Sequence, residues 1–180
     1  MFKDDISQIL ITQEDIAKRV AELGREITRD FQDTDTLIAI GILKGSVVFL
    51  ADLIRSIPLH TELEFMAVSS YGASTRSSGV VKINKDLDLD IHGKNVIVIE
   101  DIIDSGVTLH YLVDLLQKRE PKSLKICTLL NTPDRRKADV FVDYTGFDIP
   151  DEFVVGYGLD YASKYRNLPY VGVLKREIYE

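Results

Sequence analysis

The chain of 180 residues is 45% hydrophobic and carries a formal net charge of −7. That size and apolar content predict a single globular domain over 1–180 with a sizeable core, while the acidic balance argues against a general binder of nucleic acid or membrane surfaces. No apolar run approaches the ~20 residues of a bilayer-spanning helix, Met1-Phe2-Lys3-Asp4-Asp5 is no secretory signal, and the lone Cys127 forms no internal disulfide, so the expected compartment is the cytoplasm.

Thr12 and Asp15 resemble a capping box, and Ile16, Val20, Leu23 and Ile27 recur at helical spacing, predicting a first helix near 12–31. Residues 36–43 read as a buried strand, followed by a Lys44-Gly45-Ser46 turn and a helix near 47–57. Residues 61–69 alternate Leu63, Phe65 and Ala67 against Glu62, Glu64 and Met66, the pattern of a strand with one wetter face. The stretch 70–79 is small, polar and bounded by glycine, which predicts a mobile loop, and 80–84 is expected to return as the partner strand.

His92-Gly93-Lys94 precedes an apolar strand around 96–99, and a helix near 107–119 stops before Pro121. Further strands are predicted at 124–130, 139–144 and 170–174, with an aromatic and glycine-rich segment over 149–161. Strands alternating with helices predict an α/β fold with a mostly parallel central sheet flanked by helices, which places ligands outside the carboxyl ends of the strands. Lys44 and Glu100 both fall just past predicted strand ends, so one crevice can hold both. The histidines, His60, His92 and His110, have no metal-site spacing, and Cys127 reads as a buried, inert thiol.

The run 96–109 carries the chemistry. Apolar residues lead into the acid pair Glu100-Asp101, then Asp104 opens an Asp-Ser-Gly-Val-Thr turn into a helix. Gly106 lets the backbone approach an anion, Ser105 and Thr108 offer hydroxyls, and the amides of the helix start are unpaired. Three acids in this run have the wrong sign for a phosphate; at ~4 Å and an effective dielectric of ~20, each like-charge contact costs about 4 kcal/mol. The conflict resolves if Mg²⁺ or sugar hydroxyls meet Glu100 and Asp101 while phosphate lies against the turn, as in a phosphorylated sugar held with a metal.

The Glu-Asp-Ile-Ile-Asp-Ser-Gly core resembles the phosphoribosyl-pyrophosphate motif of type I phosphoribosyltransferases, nearest to their hypoxanthine-guanine branch. The resemblance implies a small hood over the purine site and Mg²⁺-dependent transfer of the 5-phosphoribosyl group to hypoxanthine or guanine. It also implies Asp104 as general base and Glu100, Asp101 and Asp104 with Ser105, Gly106, Val107 and Thr108 around the ribose 5-phosphate. Lys44, Gly45, Ser70, Tyr71 and Arg166 would meet pyrophosphate, with 70–79 as an active-site lid. Phe153, Val154 and Asp160 would face the purine, and Glu100, Asp101 and Asp160 the metal.

One position departs from the pattern. Where the branch carries a lysine against the purine's 6-oxo group, this chain has Thr132, whose shorter, uncharged hydroxyl would donate to that oxygen unless Lys137, Arg135 or Arg136 of the same loop substitutes, which leaves base preference open. The resemblance further implies a homodimer or homotetramer, with no nucleic-acid or membrane partner. Two alternatives remain in view: transfer to another purine such as xanthine, or a regulatory binding protein of the same fold that senses phosphoribosyl pyrophosphate.

Overall fold

The computed structural model describes residues 4–70 and 81–180, with Ser70 described in its backbone alone. In chain order the elements are β1 (Ile6–Ile11), α1 (Gln13–Asp30), β2 (Leu37–Leu43), α2 (Val47–Ile54), β3 (Thr61–Ser70), β4 (Val81–Lys85) and β5 (Asn95–Ile103). They continue with α3 (Val107–Gln117), β6 (Ser123–Asn131), β7 (Tyr144–Asp148), β8 (Val154–Val155), β9 (Val171–Leu174) and α4 (Arg176–Tyr179).

Six strands form the main sheet in the order β4-β3-β2-β5-β6-β7, parallel except for the antiparallel edge strand β4. Its two faces separate cleanly by strand periodicity. Leu37, Ala39, Ile97, Ile99, Cys127 and Leu129 pack on the side of α1 and α2. Their alternates Ile38, Ile40, Val96, Val98 and Ile126 pack on the side of α3. Burial on both faces explains why β2 reads as an unbroken apolar run.

The helix α1 begins as the sequence predicts: Thr12 Oγ1 accepts the Asp15 amide at 3.1 Å, and Ile16, Val20, Leu23 and Ile27 are all buried. Gly24 lets this helix lie close to α2, since a Cβ there would come within 2.5 Å of the Ser56 carbonyl oxygen. Among the described residues no helix is long and apolar enough to cross a membrane.

A second, three-stranded sheet, β1-β9-β8, joins the two ends of the chain. No strand signal marks β1 in the amino-acid pattern. Its burial is irregular and its pairing with β9 contains register shifts, so a period of two is not visible.

Three further expectations need correction. The strand expected at 139–144 is β7, starting at Tyr144. The Asp143 amide donates to the Ile126 carbonyl and the Asp143 carboxylate accepts from the Ile126 amide at 2.9 Å. Pairing with β6 therefore begins only after this side chain has satisfied the backbone. On β3 both Glu62 and Leu63 are exposed, Leu63 at 43%, while Glu64 and Met66 are buried, Met66 within the α3-side core. Finally, β5 does not end before Glu100. It pairs with β6 as far as Ile103 and Asn131, so the acid pair lies within the strand.

Candidate active site

Strand order runs outward from β2 to β3 on one side and from β5 to β6 and β7 on the other. The change of direction between β2 and β5 opens a crevice at their carboxyl ends, the usual binding position in such sheets. The turns after these two strands, 44–46 and 104–106, are the two that the sequence singled out.

At the end of β5, Gly106 adopts φ +77°, a left-handed conformation that suits glycine, and immediately precedes α3. Glu100, Asp104, Ser105, Gly106 and Thr108 line a pocket of about 120 Å³ around this turn. Val107 is not in that lining; its amide lies 3.4 Å from Ser105 Oγ. The turn is fastened from behind, because the amides of Lys137 and Ala138 both donate to the Ser105 carbonyl, at 2.9 and 3.1 Å.

Successive residues of a strand point their side chains apart, and the two acids of the pair meet different surroundings. Glu100 is buried at 9% exposure beside the turn, whereas Asp101 lies against Gly45, where an added Cβ would come within 1.5 Å of Asp101 Oδ2. Burial pushes the Glu100 carboxyl well above the usual range, and the neighbouring Asp101 adds to the shift. Asp101 is also raised by burial, opposed by amide hydrogen bonds and by Arg166. The protein supplies too little positive charge to ionise both comfortably.

A second group converges on Asp101. Gly158, at φ +104°, has no room for a side chain: a Cβ would come within 2.1 Å of the Gly45 carbonyl oxygen. Arg166 donates from Nη1 to the Gly158 carbonyl and pairs through Nη2 with Asp160, both at 2.7 Å. Lys44 is exposed beside Gly45. Thus Lys44, Gly45, Asp101, Asp160 and Arg166, scattered over more than a hundred residues, form one neighbourhood. Tyr71 and the rest of the 71–79 stretch lie outside the described residues, and Ser70 is placed only as the last residue of β3.

A second pocket reached by Asp104, about 350 Å³, is lined by Ile102, Asp104, Arg135, Asp151, Glu152, Phe153, Val154, Leu159, Arg176 and Tyr179. Phe153 stacks on Tyr179, with centroids 4.6 Å apart and planes at 19°, and meets Tyr161 edge-on. Val154 sits in β8, the free edge of the small sheet, which leaves one side of its backbone unused by β9.

Neither Thr132 nor Asp160 is in this lining. Thr132 is only 3% exposed, its amide donating to the Ile103 carbonyl at 3.0 Å. The sequence reading missed Arg176 and Tyr179, which reach the pocket from α4 and carry no local motif.

Asp104 lines both pockets. Its Oδ1 is buried and accepts no hydrogen bond, although Arg135 Nε stands 3.1 Å away. A buried acceptor without a donor is uncommon. Here it faces the junction where a flat ligand in one pocket would meet a phosphorylated one in the other.

No trio of His, Cys, Asp and Glu among the described residues forms a complete metal cage. The carboxylates fit Mg²⁺ in another way, since that ion commonly takes one or two carboxylates and completes its shell with waters and substrate phosphates.

The sequence matches the phosphoribosyl transferase domain family over residues 6–162. It is 59% identical to a hypoxanthine-guanine phosphoribosyltransferase of Bacillus subtilis, with 100% of this chain and 99% of that protein covered. A Mycobacterium avium protein of the same description is 53% identical, with 100% of this chain and 91% of that protein covered. The crystal structure of a Staphylococcus aureus hypoxanthine phosphoribosyltransferase superposes with a TM-score of 0.96 at 51% identity, covering 99% of this chain and 97% of that one. The chain belongs to the phosphoribosyl transferase family, in its hypoxanthine-guanine branch.

Proposed function

We propose that this protein transfers the 5-phosphoribosyl group of phosphoribosyl pyrophosphate to hypoxanthine and guanine, releasing pyrophosphate and the purine nucleoside monophosphate for salvage. The observation that carries this reading is Asp104 in the lining of both pockets, with a buried oxygen that accepts no hydrogen bond and has Arg135 beside it.

The 5-phosphate would rest on the 104–108 turn, where backbone amides at the start of α3 meet its charge. Glu100 and Asp101 would take the ribose hydroxyls or the metal. Lys44, Gly45 and Arg166 would receive pyrophosphate, with Asp160 orienting Arg166. The purine would lie between Phe153 and the rest of the 350 Å³ pocket, its edge toward the β8 backbone at Val154.

In the reaction the bond from ribose C1 to the pyrophosphate oxygen breaks and a bond from C1 to a purine ring nitrogen forms. The electron pair of the broken bond leaves with pyrophosphate. The purine loses one ring proton, which Asp104 would accept. Mg²⁺ held by Glu100, Asp101 or Asp160 would supply positive charge to the substrate phosphates. The remaining acceleration comes from holding the two substrates in line.

The reading further places the protein in the cytoplasm as a homodimer or homotetramer. Release of pyrophosphate, measured with each of hypoxanthine, guanine, xanthine and adenine, with and without Mg²⁺, is the direct test. Turnover with the first two bases and loss of it on chelation are expected. Turnover with xanthine alone would move the assignment to that base, and phosphoribosyl pyrophosphate binding without turnover on any base would leave a sensor.

A further inference from the structure

The pocket holding Phe153 and Val154 contains acids and cations in an arrangement that the transfer reaction does not by itself explain. Asp104, Asp151 and Glu152 supply negative charge; Arg135 and Arg176 supply positive charge. Arg135 stands between two of the acids, its Nε 3.1 Å from Asp104 Oδ1 and 3.4 Å from Asp151 Oδ1. Both contacts run through Nε, so the fork formed by Nη1 and Nη2 is spent on neither.

The neighbouring polar side chains of the same loop, those of Thr132, Arg136 and Lys137, are absent from this pocket's lining. The Nη2 of Arg136 donates to Asn131 Oδ1, and its Cδ packs against the Gly106 turn. Lys137 is exposed, and its amide holds the Ser105 carbonyl. Thr132 is buried away from the pocket lining. Arg135 is therefore the cation of this loop that faces the pocket.

We infer that Arg135 recognises the 6-oxo edge of the purine and so fixes the base preference of this enzyme. A guanidinium fork matches the paired acceptors O6 and N7 of a 6-oxopurine, and it meets an unfavourable donor on the 6-amino group of adenine. Releasing it is easy, because half-exposed ion pairs such as those with Asp104 and Asp151 are weak.

Exchange of these partners has a second consequence. When Arg135 turns to the base, Asp104 is freed at the moment that a purine ring N–H arrives beside it. Arg135 would thus link arrival of the correct base to exposure of the proton acceptor. The linkage also reaches the phosphate turn, since the loop carrying Arg135 hydrogen-bonds to Ser105 through its next residues.

This inference rests on the assignment of the pocket to the purine, and the experiment separates the two. Equilibrium titrations of the intact protein compare inosine monophosphate with its analogue lacking the 6-oxygen, purine riboside monophosphate. The wild type should prefer the oxo nucleotide by about tenfold or more, as expected for a paired contact to a base edge. In Arg135→Met that ratio should fall toward one, mainly through weaker binding of the oxo nucleotide, and Arg135→Lys should recover part of it.

Retention of the wild-type ratio in Arg135→Met would overturn the role of Arg135, as would collapse of the ratio only in Arg176→Met. If the wild type binds neither nucleotide, the functional reading itself fails. A thermal midpoint for Arg135→Met near that of the wild type, with unchanged affinity for phosphoribosyl pyrophosphate, distinguishes lost recognition from a disturbed fold.

Discussion

At Asp104 one carboxylate oxygen, Oδ1, is buried and accepts no hydrogen bond, with the Arg135 guanidinium 3.1 Å from it. With Arg135 turned toward a base, that oxygen would be free to take a proton. Asp104→Asn preserves the shape and removes the basicity. Turnover should then fall by about 10²–10⁴-fold, the range for loss of a general base, with little change in the KM for phosphoribosyl pyrophosphate. Steady-state kinetics at saturating base decide the matter, and an unchanged kcat would remove Asp104 from this role. The residue's candidacy was readable from its motif. The open oxygen was not, because Arg135 comes from a loop after β6 whose packing no local pattern encodes.

Glycines show the same division at this scale. Gly106 was legible as the glycine of a hydroxyl-bearing turn before a helix, and its φ of +77° is a conformation that glycine adopts readily. Gly45 was singled out for its place after a strand, yet the constraint upon it comes from Asp101 and Gly158, far along the chain.

Elements meet most tellingly at the small sheet. β1 and β9 come from opposite ends of the chain, and α4 follows directly on β9, bringing Tyr179 against Phe153. A stacked aromatic pair contributes about 0.5–1.5 kcal/mol beyond area burial. Tyr179 therefore backs the ring proposed to stack on the purine and limits its swing. Tyr179→Ala should raise the KM for hypoxanthine by about 3–10-fold, the kinetic equivalent of that energy. The KM for phosphoribosyl pyrophosphate should stay near its wild-type value. Equal changes in both constants would show that α4 supports the fold generally rather than the base pocket.

Helices and central strands were the readable elements, because their periodicities are local. The four apolar positions of α1 all point to the core, as their spacing required. β7 was displaced because Asp143 pairs its side chain with the Ile126 amide, which polarity patterns do not reveal. The glycine-aromatic segment was recognised as special, but its division into β8, turns and the bed of Arg166 depends on contacts with the 44–46 turn.

Across the whole molecule, stability and site chemistry oppose each other at Glu100. Its carboxyl titrates well above the usual 4.5 because burial and Asp101 disfavour its charge. A group with a folded-state pKa raised above the unfolded value adds stability below the unfolded pKa, and loses that contribution as pH rises through the folded pKa. The ligand-free protein should thus lose stability from this residue as pH climbs above about 4.5. Glu100→Gln removes the ionisation, so its Tm should exceed that of the wild type at neutral pH, and the gap should close toward pH 4.5. Each kcal/mol gained corresponds to about 2–4 °C for a chain of this size. Scanning calorimetry across pH tests this; a gap independent of pH would mean that Glu100 is not the strained group.

The sequence alone determined the strand, acid pair, turn and helix proposed to hold phosphate, together with the α/β alternation around them. These depend on residues within a few positions of one another, so backbone geometry and side-chain period suffice. The tertiary structure decided that Glu100 and Asp101 have different neighbours, that Arg135 rather than Arg136 or Lys137 lines the pocket proposed for the base, and that Tyr179 backs Phe153. Those outcomes follow from close packing between segments far apart in the chain, where the space left by one element selects which side chain of another can fill it.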